Sequence, residues 1–235
     1  MKSLFTSICL LFLLLGCAKT QHEMQLSGNI KGLKKGVVLL QKVVDTNFVT
    51  VDSVTINGDS NFSFSDAVES PEIYFLQLKI ENESLKDKNL SFFAEPGEIT
   101  INTSLENFAT AAVVSGSKNQ EKLSEYKKLI QRYSDKNLDL IEEEISAIQQ
   151  QNDSLLQAIQ QKRKNTIRGK YLATVNFAIN NKEYELAPYL MLSEVYDANI
   201  KYLDTVYKSL TPKIKDSKYG KALESYIVER KNEGN

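Results

Sequence analysis

The sequence predicts an α+β chain, with an N-terminal antiparallel β-sandwich or barrel followed by a C-terminal helical hairpin or bundle. Three observations carry this. Between Met24 and Ser115, short β-branched and aromatic runs recur at roughly ten-residue spacing, divided by turn residues. From Gly116 onward glycine and proline nearly vanish and apolar residues recur at spacings of three and four. The first sixteen residues belong to neither pattern.

Those residues, "MKSLFTSICLLFLLLG", carry Lys2 as their only charge and an apolar run from Ile8 to Leu15. A basic n-region and a short h-region make a secretory signal. The run falls short of the ~20 apolar residues of a membrane span. It ends in "LLGC", which resembles the bacterial lipobox. The expectation is a signal peptide over 1–16 and a lipidated Cys17 opening a tether over 17–23. Cys9 leaves with the signal, so Cys17 is the one cysteine kept, and it is modified. Disulfide, thiol redox and cysteine-metal chemistry are then not expected. His22, the only histidine, reads as a tether residue and not as a metal ligand.

A β-domain over 24–116 follows. "MQLSGNI" alternates Met24, Leu26, Gly28 and Ile30. "KGLKKG", holding Gly32 and Gly36, reads as a basic hairpin tip. "GVVLLQKV" is continuously apolar, as in a strand buried on both faces or crossing a sheet junction. "FVTVDSVTI" is β-branched. "FSFS" puts Phe62 and Phe64 on one face, and "EIYFLQLKI" aligns Tyr74, Leu76, Leu78 and Ile80. In "EPGE", Pro96 and Gly97 fit the centre of a type II turn. "ENESLKDKNL" (81–90) reads as a charged loop, and "AAVVSG" closes the region.

A helical domain over 117–235 completes the chain. Leu123, Tyr126, Ile130 and Tyr133 form a first stripe, and Ser117 with Gln120 fits a capping box. Leu138, Ile141, Ile145, Ile148, Asn152, Leu155 and Ile159 form a second, heptad stripe. The stripes differ in phase, so a kink is expected at 134–137. The second stripe suits one arm of a helical hairpin or, alternatively, a dimeric seam over 138–159. Four short amphipathic helices follow, with Pro188 in the first turn of the second. Their tyrosines fall at helical spacing, as core and helix-contact residues do.

The chain is nearly neutral, with 29 basic and 30 acidic residues, so nucleic acid is not an expected partner. Glu142–Glu144 point about 100° apart on a helix and form a solvated face, not a metal or acid-base cluster. Asp52-Ser53 lacks a base. No phosphate loop, "HExxH" or calcium loop occurs. No catalytic residue, cofactor or metal is expected.

"GNIKGLKKGVVLLQKV", "VDSVTINGDSNFSFSD", "PEIYFLQL" and "FFAEPGEITINTS" together resemble the uncharacterised β-domain that opens thiol:disulfide interchange lipoproteins of the Bacteroidetes cell envelope. "VSGSKNQEKLSEY" resembles its handover to helices. "LDTVYKSLTPKIKDSKYGKALESYI" resembles the helices that precede the thioredoxin-like domain in that family. The resemblance implies fold, lipoprotein export and a cell-envelope location. This chain carries no Cys-x-x-Cys site, so no redox residue transfers. The expected function is a non-catalytic binding or accessory lipoprotein, with a separate thioredoxin-like protein as one candidate partner. A glycan- or nutrient-binding lipoprotein is the alternative, against which the absence of tryptophan counts. An enzyme of unrecognised type is a third.

Overall fold

The computed structural model describes residues 22–80 and 88–234. Among the described residues eight strands come first: β1 (Glu23–Lys31), β2 (Lys35–Val44), β3 (Asn47–Asn57), β4 (Asn61–Ala67), β5 (Glu72–Lys79), β6 (Asn89–Ala94), β7 (Gly97–Ser104) and β8 (Val113–Ser115). They form two four-stranded sheets, ordered β4-β1-β7-β8 and β3-β2-β5-β6. Every pairing is antiparallel except that of β1 with β7, which is parallel.

Alternation sorts the side chains. Met24, Leu26 and Ile30 of β1, Phe62 and Phe64 of β4, and Ile99 and Ile101 of β7 face inward. Val38 and Leu40 of β2, Tyr74, Leu76 and Leu78 of β5, and Phe92 of β6 meet them from the other sheet. Ile73 and Phe93 point the opposite way and belong to a second cluster, with helical residues Leu123, Tyr126, Ile130, Leu186 and Leu190. The second sheet is therefore a middle layer, covered on both faces where the helices reach it. That explains why "EIYFLQL" and "SFFA" read as nearly unbroken apolar runs.

Gly28 sits where β1 is squeezed between β4 and β7. A Cβ there would lie 2.0 Å from the Ile101 carbonyl oxygen and 2.5 Å from the Phe62 ring. "KGLKKG" is not a hairpin tip. It carries the chain from one sheet to the other, and its Leu33 is buried in the sandwich core. The reason is the burial of Leu33, which local turn composition does not announce.

The helical part comprises α1 (Lys118–Gln149), α2 (Asp153–Asn180), α3 (Leu186–Ser193), α4 (Ile200–Ser209), α5 (Pro212–Lys215) and α6 (Lys218–Asn232). Ser117 caps α1 by accepting the Gln120 N–H. The break expected at 134–137 is absent, because α1 runs through it. The break falls instead at Gln150–Asn152. Gln151 takes a positive φ of 52°, and Asn152 accepts the Leu155 N–H as the N-cap of α2. The heptad stripe is thus cut in two by a turn, and α1 and α2 form an antiparallel hairpin. No single helix spans 138–159 for a continuous dimer seam to form on. The segment "KYLATVNFAINN" likewise belongs to α2 and is no separate helix.

The outer half of this hairpin is an arm with a thin core. Leu140, Ala147 and Ile159 are its buried residues, with Leu156 beside them. Leu138 is 59%, Ile145 52% and Ile148 59% exposed. The inner half is packed by α3 and by the cluster of α3–α6, which includes Met191, Leu203, Val206, Ile214, Leu223 and Ile227. Pro188 lies in the first turn of α3. Among the described residues no helix is long and apolar enough to cross a membrane.

Candidate functional site

Cys17, the one site residue singled out in the sequence, lies outside the described residues, as does most of the charged loop at 81–90. His22 lies at the start of the described chain. Its carbonyl accepts the Val68 N–H at 2.7 Å, which fixes the backbone at the mouth of a cleft. The cleft, of about 640 Å³, runs between sandwich and helices and is lined by His22, Glu69, Ser70, Pro96, Glu185 and Lys213, among others.

Beside this cleft, and reaching it at Glu185, runs a polar seam that the sequence did not reveal. Glu95, just after β6, accepts the backbone N–H groups of Lys118 and Asn119 at the start of α1. A carboxylate there satisfies orphan donors and complements the helix dipole. The Asn119 side-chain amide donates to Glu95 at 2.8 Å and to Glu185 at 3.0 Å, and its oxygen accepts the Leu186 N–H at 2.9 Å. Gln120 Oε1 accepts the Phe93 N–H at 3.0 Å. Only half of the expected capping box forms, because Gln120 is spent on β6 instead of on Ser117. Beside this seam the Phe93 ring meets Tyr189 and Tyr219 edge-on, and the Tyr219 hydroxyl accepts the Ile73 N–H. Burial holds the Tyr219 hydroxyl well above the usual phenol range. These contacts lock helices to sheet. Asn119 and Glu185 are buried and hydrogen-bonded, as structural polar groups must be.

A second polar cluster closes the same side of the sandwich. Tyr74 donates to Asp66 at 2.6 Å, and Lys42 Nζ reaches Asp66 at 3.2 Å and the Tyr74 hydroxyl at 3.1 Å. Burial, reinforced by the Asp66 carboxylate, raises the Tyr74 hydroxyl far above its ordinary value. Tyr74 is thus a buried hydroxyl donating to Asp66.

The remaining sequence candidates do not assemble a site. Glu142 and Glu143 are exposed. Glu144 departs from the expected solvated face: it is half-buried in the hairpin and ion-paired with Arg163. The Asp52 carboxylate accepts the N–H of its neighbour Ser53 on the exposed strand β3. Among the described residues no three histidine, cysteine or acidic side chains converge as metal ligands.

Two further surfaces bear on function. One is a groove of about 390 Å³ on the outer face of the first sheet, lined by Glu23, Gln25, Ser27, Ser63, Glu98 and Thr100. The other is the arm, with its uncovered apolar residues. Helix geometry relates the arm to the body. At 100° per residue, Ile141 and Ile148 continue the direction of Leu123 and Ile130, which pack on the sheet. Beyond the base that direction is less covered: Ile141 is half-buried and Ile148 is exposed.

Compared with known families, residues 24–123 match the family described as "Domain of unknown function (DUF4369)". The match spans the sandwich and the first turns of α1, and so takes in Glu95, Asn119 and Gln120 but not Glu185. No curated protein matches the chain.

Proposed function

We propose that the chain is a non-catalytic binding module of the bacterial cell envelope, anchored by lipid on Cys17 and engaging a partner protein through its helical arm. The observation that carries this reading is the exposure of Leu138, Ile145 and Ile148 on one stripe of α1. Clustered exposed apolar residues on a well-packed body mark interaction surfaces. The resemblance of nearly all the mature chain to envelope lipoproteins supports the anchor, and it makes a separate thioredoxin-like protein one candidate partner.

A crosslinked pull-down from envelope fractions tests the arm. The Ile145→Lys, Ile148→Lys double variant should lose a partner that the wild type captures. Equal capture by both would remove the arm from the reading. Membrane fractionation tests the anchor: Cys17→Ala should move to the soluble fraction, and its retention would sink the lipid reading.

A glycan-binding role is the second reading, favoured by the polar groove of the first sheet. It predicts that soluble glycans bind in a manner sensitive to Gln25→Ala and indifferent to the arm variant.

A further inference from the structure

We infer that the cleft between sandwich and helices is the face held against the bilayer, with a phospholipid headgroup surface as its partner. This rests on the lipidation of Cys17. Acyl chains place residue 17 at headgroup level. His22 is five steps along the chain from it, and a chain extends at most about 3.6 Å per residue, so His22 lies within about 18 Å of that level. His22 is not free to swing, since its carbonyl is bonded to Val68 on the body.

The features that meet at this point decide which side faces the lipid. The β4–β5 turn at Ser70–Pro71, the β6–β7 turn at Pro96, and α5 with its flanks all line the cleft beside His22. The start of α1 lies next to it, since Asn119 donates to the lining residue Glu185. The anchor therefore emerges at the waist of the molecule, between its two parts, and not at the far end of either. A tether of this length brings both parts alongside the membrane. Lys213, exposed on the cleft rim, carries no carboxylate partner among the described residues, so it can meet lipid phosphates, whereas Lys215 is turned to the Lys208 carbonyl and the Tyr207 ring. Glu69 and Asp216 are exposed carboxylates that line the cleft with it; Asp216 is paired with Lys221. The charge is thus mixed, and tether length is the stronger argument. By contrast α1, 32 residues long, carries Gln150 about 48 Å from its own start.

The test uses the intact lipoprotein, extracted from membranes and reconstituted in phosphatidylcholine–phosphatidylglycerol vesicles with spin-labelled headgroups. Residues 18–235 hold no cysteine. Single Lys213→Cys, Asp216→Cys and Gln150→Cys variants can therefore each carry one fluorophore. Either cleft variant suffices should the other not fold. Quenching at position 213 or 216 should exceed that at 150 by severalfold. Equal quenching, or stronger quenching at 150, in protein that floats with the vesicles overturns the orientation and leaves the anchor standing. Failure of the wild type to float overturns both.

Discussion

The sandwich and the arm solve the same problem with very different means. The sandwich buries Tyr74, Phe92, Phe108 and a dozen aliphatic residues between two sheets. The arm holds two antiparallel helices together with three fully buried residues and the Glu144–Arg163 and Glu143–Lys162 pairs. The Glu143–Lys162 pair is exposed and contributes little, so the arm leans on the half-buried Glu144–Arg163 pair, on its few apolar contacts and on the body at its base. Density of burial therefore separates a scaffold from a surface in this chain. The residues the arm leaves uncovered are not needed to hold it together.

Alkali should have the largest effect, because it strikes the sandwich and its junction with the helices, through three tyrosines of which none lies in the arm. Burial raises the hydroxyls of Tyr74 in the sandwich, Tyr219 at the junction and Tyr126 at the base of α1. The unfolded chain loses these protons near pH 10 and the folded chain only at higher pH. Above about pH 10 the folded state thus binds more protons, and stability falls as pH rises. Circular dichroism between pH 9 and 12 should show loss of the strand signal together with that of the helices packed on it. Retention of full structure at pH 12 would contradict the assigned burial.

Next comes Phe92→Ala, which empties a fully buried ring site at the centre of the sandwich. Urea unfolding should show a loss of about 3–5 kcal/mol. Ile159→Ala should cost less, about 2 kcal/mol, because the thin core around it can collapse into the gap. Hydrogen exchange should localise that loss to the outer turns of α1 and α2, with strand protection unchanged. Spread of the loss into the strands would mean that arm and sandwich are one cooperative unit. Smallest of all, Ile145→Lys should change stability by no more than about 0.5 kcal/mol. A larger drop would show that the exposed stripe supports the arm internally, and the comparison would blur.

How much of this was legible beforehand depended on range. Period-two and period-3.6 patterns are local, so the sheets, the helical part and the inward faces of β1, β4 and β5 could be read directly. The hairpin turn could not. Gln151 adopts a positive φ without glycine, and Asn152 suits both a polar seam position and an N-cap. The pattern alone does not choose between them. The Glu95–Asn119–Glu185 seam was invisible because its members come from three distant segments and each is an ordinary polar residue where it stands. Cys17 was legible from its flanks alone, and it remains a proposal.

The parallel pairing of β1 with β7 bears on the order in which the chain can finish folding. Strand β1 is the first in the sequence, yet it lies inside its sheet, between β4 and β7. Its ladder with β7 joins Met24 to Gly97 and Lys31 to Ser104. A chain delivered from its N-terminus exposes "MQLSGNI" at once and must leave one edge of it unpaired until residue 104 has arrived. Such non-local closure slows folding and leaves an apolar strand open to the wrong neighbour meanwhile. The earliest strand made is among the last to be completed.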